Sequence, residues 1–268
     1  MIFDATCQLV YRIDDEVPVI FMLRPRSGLT QWIMREEFHI HPPVPVVEYT
    51  DVYGNLCQRA IMPPGEFFVR VQYRVRVKDL IEVDRTAELA RVDRLPAEIL
   101  HYLLSSRYCQ ADMLGDLAHS IIGDAPETYE RVARLHAWIH REIRYEAGVS
   151  NSSTSAVDTA NMRCGVCRDF AHLGIALCRA LNIPARMVVG FLHELEPMDL
   201  HAWFEAFIGG KWVTFDATQP ETTGHRIVIA YGRDAADVAL ATMFGYFTLE
   251  KMRVTVTPFV FPVSNAEK

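Results

Sequence analysis

Three short segments carry residues whose types and order could do thiol chemistry. They are Gly165-Val166-Cys167-Arg168-Asp169-Phe170-Ala171-His172, His201-Ala202-Trp203-Phe204-Glu205 and Trp212-Val213-Thr214-Phe215-Asp216-Ala217-Thr218. The spacing of Phe170, Leu173, Leu177 and Leu181 predicts an amphipathic helix opened by Cys167 and terminated by Asn182 and Pro184. A cysteine at a helix N-terminus, after a glycine that lets the chain turn tightly, sits among unpaired amides. Those amides and the helix dipole favour the thiolate, which is the reactive form. His201 begins one predicted strand and Asp216 ends its partner, so the two side chains can lie side by side. Asp216 then accepts the proton on one imidazole nitrogen, fixes the tautomer, and leaves the other nitrogen to face the thiol. Asp199, two residues before His201, is the competing carboxylate. A strand side chain two residues away points along the same face rather than across to the ring, which favours Asp216. The Cys167 amide is the natural first donor to an oxyanion; a second must come from elsewhere, the loop over residues 154–161 being one source, and the sequence does not identify it.

Each of these residues also has a plainer reading. Cys167 alone would be a buried apolar residue and His201 a satisfied polar residue in a strand; it is the constellation that points to catalysis. Cys164 and Cys167 form a Cys-x-x-Cys pair, which invites redox or zinc chemistry. A thioredoxin-like site wants that pair after a strand in a βαβ unit, and here a Ser/Thr-rich loop precedes it. A structural zinc needs four ligands, and no second close Cys or His pair lies nearby. A disulfide between Cys164 and Cys167 that silences the thiol is a milder version of the idea. Asp169 fits the first helical turn as a dipole-complementing carboxylate, Arg168 follows the thiol directly, and Trp203 fits a core or site-lining place. His172 fits a core or surface role. His39 and His41 alternate on one face but lack a third ligand, so no metal is expected. Cys7, Cys57, Cys109 and Cys178 read as ordinary buried thiols.

The elements that must position these residues follow from periodicity. Over residues 67–78, Phe67, Val69, Val71, Tyr73, Val75 and Val77 alternate with Phe68, Arg70, Gln72, Arg74, Arg76 and Lys78, so one face meets a core and a cationic face meets water. Further strands are expected over 8–13 and 19–23. The prolines at 42, 43 and 45 cannot sit inside a sheet. The first eighty or so residues thus predict a small antiparallel β-domain of sandwich type. The period then changes. Short helices are expected over 96–104 and 111–122, and a longer one from Asp124 and Pro126 up to Tyr145, carried by Tyr129, Val132, Leu135, His136, Ile139 and Ile143. Residues 148–159 read as a polar loop that could cover a cleft. Strands follow over 186–191, 202–208 and 212–215, the last two joined by Gly209-Gly210, and then over 227–231 and 253–256. The fold class is α+β, divided at residues 1–85 and 86–268.

The chain has 268 residues, 50% of them hydrophobic and 23% charged, with 14 Gly and 14 Pro, a composition that excludes collagen-like, low-complexity and wholly disordered classes. Net charge is −7 without a run of Lys or Arg, so neither nucleic acid nor an anionic membrane is an expected partner. The apolar stretches 183–192 and 254–263 are interrupted and fall short of the roughly 18 residues a membrane span needs. The first residues lack the basic-then-apolar pattern of a secretory signal. Six cysteines are too sparse for a disulfide scaffold. A cytoplasmic protein with free thiols is the expectation.

The segments Gly165-Val-Cys-Arg-Asp-Phe-Ala-His-Leu173, His201-Ala-Trp203 and Phe215-Asp-Ala-Thr218 resemble the three signatures of the bacterial transglutaminase-like superfamily, of the cysteine-protease type. Residues 1–85 resemble the β-rich region that precedes its catalytic core, and Gly232-Arg-Asp-Ala-Ala-Asp237 resembles its C-terminal Gly-Arg-Asp motif. The resemblance covers nearly the whole chain. It implies a papain-like, transglutaminase-like core with helices packed on an antiparallel sheet, and Cys167 as nucleophile, His201 as base and Asp216 as its partner. It also implies a protein or peptide acyl donor, no cofactor, and resolution of the thioester by water or by an amine acceptor. Arg168 stands where glutamine is common after the nucleophile, and the acidic loop 193–200 with Glu194, Glu196 and Asp199 maps onto none of the motifs. Arg233, Asp234 and Asp237 are expected to act as an ion-pair or turn element joining the domains. The rival readings are a transglutaminase-like fold kept as a binding scaffold and a thiol–disulfide enzyme using Cys164 and Cys167.

Overall fold

The computed structural model describes residues 1–28, 30–78 and 83–260; Pro262, one of the prolines that interrupt the last apolar stretch, lies outside them. Strands β1 (Ile2–Ile13), β2 (Val17–Arg24), β3 (Gln31–His41), β4 (Val47–Thr50), β5 (Leu56–Met62) and β6 (Gly65–Val77) form the N-terminal part. The alternation expected in β6 is present and is matched in β1. Phe3, Ala5, Cys7, Leu9, Tyr11 and Ile13 are buried against the same core as Phe67, Val69, Val71, Tyr73, Val75 and Val77, with Cys7 opposite Val71. Val17, Val19, Phe21, Cys57, Ala60 and Met62 line the core from the second sheet, and the Phe21 and Phe67 rings stack at 6.3 Å. On the outer face Arg74 grips Asp4 with two hydrogen bonds of 2.7 and 2.9 Å. The prolines after His41 fall between β3 and β4, where no ladder hydrogen bond is lost.

One expectation needs correction. The two sheets of this sandwich are completed by the C-terminal end of the chain. Strands β13 (Ala241–Met243) and β14 (Thr248–Pro258) give the orders β13-β2-β5-β4 and β14-β1-β6-β3. The strand expected over 253–256 therefore exists but is longer, and it pairs with β1 (Val254 opposite Cys7). A cut at residue 85 assigns it to the wrong layer, because pairing partners as far apart as Cys7 and Val254 leave no local trace.

Between these ends lies the mixed part. Helix α1 (Ala97–Leu100) is short, and α2 (Gly115–Ile122) follows a separate 3-10 turn over Ala111–Met113, so the helix expected over 111–122 is split. Helix α3 (Tyr129–Glu142) is capped by Thr128, whose hydroxyl accepts from Glu130 N–H, and not by Asp124. It stops before β7 (Arg144–Tyr145), which pairs in parallel with β8 (Cys164–Gly165). Part of the expected polar loop is helix α4 (Ala156–Met162), opened by a Ser155–Asp158 capping box. Helix α5 (Cys167–Ala180) packs on the antiparallel sheet β11 (Lys211–Phe215), β10 (His201–Ile208), β9 (Ala185–Leu192), β12 (Arg226–Gly232).

Strand β12 is an edge of that sheet, yet its free ladder groups are met by side chains from the sandwich. Gln31 donates to Val228 C=O (2.7 Å) and accepts from Val228 N–H (2.8 Å); Asn55 does the same at Tyr231 (2.8 and 2.9 Å). A carboxamide presents one donor and one acceptor at the spacing a strand would, so the two layers are joined without an exposed edge. The Gly-Arg-Asp segment supplies a second joint. Arg233 pairs with Asp237 (2.9 Å), which also accepts the Tyr53 hydroxyl (2.8 Å), while buried Asp234 holds the backbone N–H groups of Tyr108 and Ala236 (both 2.9 Å).

His172, on α5, is buried against this joint. Its Nε2 accepts from Ala235 N–H (3.1 Å) and its ring stacks on Tyr108 at 5.0 Å. Nδ1 therefore carries the proton, and it finds no partner among the described residues. Burial, partly opposed by Asp234, holds the imidazole down at about 4. The unfolded chain takes up this proton near pH 6.5, whereas the native state refuses it until about pH 4, so stability falls as pH drops between those values. The fall is at most about 3.5 kcal/mol, from the rule of 1.4 kcal/mol per unit. His136 is displaced in the same direction by burial and adds to the slope. Urea titrations at pH 7.5 and 4.5 should show the loss in wild type and a much flatter response in His172→Gln.

Candidate active site

Helix α5 begins where it does because Asp169 reaches back to accept the Val166 N–H at 2.9 Å. A side chain at 165 would meet that carboxylate, since a Cβ there would lie 2.7 Å from the Asp169 Cβ; only glycine fits. Asp169 is fully buried, and Arg168 pairs with its other oxygen at 3.0 Å. The same guanidinium reaches Asn151 C=O (2.8 Å) and Ser150 Oγ (3.3 Å). Asp169 is thus the cap of the helix and Arg168 the tie that fixes the 150–151 loop beside it. Cys167 is left at the first helical position with its thiol partly exposed, while the other five cysteines are buried. Burial pushes Cys7 and Cys109 up to about 12 and Cys178 higher still.

His201 is the first residue of β10 and Asp216 immediately follows β11, as the hairpin requires. Imidazole Nε2 donates to Asp216 Oδ2 at 2.7 Å, and both residues are almost wholly buried. With Nε2 engaged, Nδ1 is the nitrogen left for the thiol. Burial alone would lower the imidazole; the hydrogen bonds and charges of Asp216 and Cys167 outweigh it and raise His201 to about 9. Burial acts to raise Asp216, but His201 and Arg226 hold it well below the usual carboxylate range. Its remaining oxygen accepts Thr218 Oγ (2.7 Å) and N–H (3.2 Å). From α3, His136 Nε2 donates to the Asp216 backbone carbonyl at 3.0 Å. Asp199, the competing carboxylate, instead caps the Leu200 N–H at 2.7 Å and is exposed.

The remaining candidates fall around this centre. Trp203 is buried, with its ring 6.1 Å from that of His201. Cys164 is buried on β8, three residues before the thiol. Two contributors carry no sequence signal. Tyr145 is placed by the β7–β8 pairing opposite Gly165, and its phenol is raised by burial and by the charge of the neighbouring Cys167. Arg226 places Nη2 2.9 Å from Asp216 Oδ2. Nothing in local spacing links residue 226 to residue 216.

Comparison with known proteins places this arrangement. Residues 115–217, which hold Cys167, His201 and Asp216, match the model of the transglutaminase-like superfamily. The crystal structure of a "putative cysteine protease" from Cytophaga hutchinsonii is 37% identical, with a TM-score of 0.89 over 97% of this chain and 92% of that one. An uncharacterised protein of Mycobacterium leprae is 26% identical over 233 residues, 81% of this chain and 82% of the relative. An uncharacterised protein of Mycobacterium tuberculosis is 30% identical over 143 residues, 48% of this chain and 46% of the relative. Similarity to the Cytophaga protein runs through the β-sandwich as well as the core, so the chain as a whole belongs to the transglutaminase-like superfamily.

Proposed function

We propose that the protein is a cysteine-dependent enzyme acting on amide or peptide bonds, with Cys167 as nucleophile, His201 as base and acid, and Asp216 as the group that orients His201. The observation that carries this reading is the buried imidazole held by Asp216 through Nε2, with its other nitrogen left to the thiol of a helix N-terminus. The thiolate sulfur attacks the carbonyl carbon, and the Cys167 N–H faces the oxygen as negative charge develops there. The C–N bond breaks as the His201 imidazolium gives its proton to the leaving amine, and a thioester remains. Water then attacks the thioester while His201 takes its proton, the acid leaves, and the thiolate is restored. An amine in place of water would give transfer; hydrolysis is favoured because water is always present and an amine needs its own subsite. A protein or peptide is the proposed acyl donor and the cytoplasm the proposed setting, in keeping with six unpaired thiols.

Iodoacetamide labelling followed by peptide mass spectrometry tests this without a known substrate. At pH 6.5 Cys167 should alkylate at least about tenfold faster than any other cysteine, and His201→Ala should abolish the difference while Cys164→Ala leaves it nearly intact. Uniform slow labelling would leave a binding scaffold as the better reading; loss in Cys164→Ala alone would favour thiol–disulfide chemistry. Acyl donors offered with and without amines then separate hydrolysis from transfer.

A further inference from the structure

The Asp216 oxygen that accepts from His201 accepts from a second donor. Arg226 Nη2 lies 2.9 Å from Oδ2 and 2.9 Å from Gln219 Oε1, and Nη1 donates to the carbonyls of Thr223 (2.7 Å) and Gly224 (3.2 Å). The side chain is 8% exposed, its Cζ stands 5.6 Å from the Trp203 ring, and its Nε is buried without a partner among the described residues. An arginine buried with one N–H unsatisfied carries a desolvation cost, and its seat against Asp216 asks for a reason. A carboxylate bound only by an imidazole can rotate about its last bond; one bound at the same oxygen by a planar fork anchored at three further acceptors cannot.

We propose that Arg226 is a positioning residue for the triad: it fixes the rotation of the Asp216 carboxylate and offsets part of its charge, so that His201 is held in line with Cys167. This rests on the Cys167–His201–Asp216 reading above. The groups facing His201 are Cys167 from α5, Asp216 at the end of β11 and Arg226 from β12 across the shared oxygen. Trp203 lies on its own strand, and His136 from α3 stands behind the Asp216 backbone. Among them, Arg226 is the cation whose removal leaves Asp216 with its full charge toward the imidazole.

The sign of the outcome separates this role from a merely structural one. In Arg226→Gln, which keeps a donor for the oxygen but removes the charge, the His201 titration read by long-range 1H–15N NMR should move upward by about one pH unit. Arg226→Lys, which keeps the charge, should stay close to wild type. If Arg226 only supported the loop, Asp216 would drift in Arg226→Gln and the titration would move downward, with no rescue by lysine; that result overturns the proposal. Should Arg226→Gln fail to fold, wild-type protein still decides. The Arg226 Nη resonances should exchange slowly and shift as His201 titrates, and independence of that titration counts against the coupling. Failure of the proposal is distinguishable from failure of the underlying reading. If Cys167 in wild type lacks His201-dependent alkylation the reading falls; if it has it and His201 titrates the same with and without Arg226, only the role of Arg226 falls.

Discussion

Asp216→Ala should lower turnover by about three to four orders of magnitude and destabilise the fold by about 3–5 kcal/mol, the cost of leaving a buried charge without its partner. Both effects come from one carboxylate serving three neighbours. Without it, His201 Nε2 loses its acceptor and the imidazole is free to present either nitrogen to Cys167. Arg226, 8% exposed, keeps only Gln219 and two backbone carbonyls as acceptors, none of them charged. Thr218 loses its 2.7 and 3.2 Å acceptor. Asp216→Asn should be far milder. Both groups at Oδ2 are donors, so the amide oxygen is held at that position and the His201 tautomer is preserved. The amide NH2 then faces Thr218, whose hydroxyl can turn to accept while its backbone N–H cannot. Asn should therefore retain at least about ten times the activity of Ala. Urea unfolding and Cys167 alkylation rates, with turnover once an acyl donor is found, measure both. Equal losses in the two variants would mean that His201 depends on the carboxylate charge and not on a fixed acceptor.

What sequence alone could reach was whatever short-range periodicity encodes. The alternation of β6, the amphipathic run of α5 and the Gly209-Gly210 hairpin are each written within a dozen residues. Together they place Cys167, His201 and Asp216 at the right ends of the right elements. Features set by distant partners were not legible. Strand β14 reads as a minor late strand until β1 is seen beside it. Helix α4 is hidden because Ser155 and Asp158, which form its capping box, look like one more polar pair in a loop rich in Ser, Asn and Thr. His136 looks like a member of the buried stripe of α3, which it is, and only the fold brings its ring to the Asp216 carbonyl. Arg226 opens a strand like any surface arginine; what distinguishes it is burial against a carboxylate ten residues back, across a turn that no periodicity describes.

The same dependence on distant partners makes Gly190→Ala the more severe of the conservative substitutions in the sheet. Gly190 pairs with His201 on one side and Val228 on the other. A Cβ at 190 would lie 1.9 Å from the Ile227 carbonyl oxygen and 3.2 Å from the Trp203 ring. The close approach arises at an irregularity in β12, where the register against β9 shifts between Val228 and Ala230. The obstructing atom is backbone and cannot rotate aside. Moving Ile227 means moving Val228, which the Gln31 carboxamide holds on both its N–H and C=O, and Arg226, which is fixed to Asp216. The methyl group is therefore expected to cost about 3 kcal/mol or more, at the upper end of the overpacking range. Part of that strain should reach the site, because the easiest relief is to lift the start of β12 and with it the guanidinium that shares Oδ2 with His201. Thermal unfolding should show a large drop for Gly190→Ala. Cys167 alkylation, measured at a temperature where the variant is still folded, should be slower than in wild type. A variant that melts within a degree or two of wild type and labels at the same rate would show that β12 yields freely, and the rigid seating of Arg226 would have to be given up.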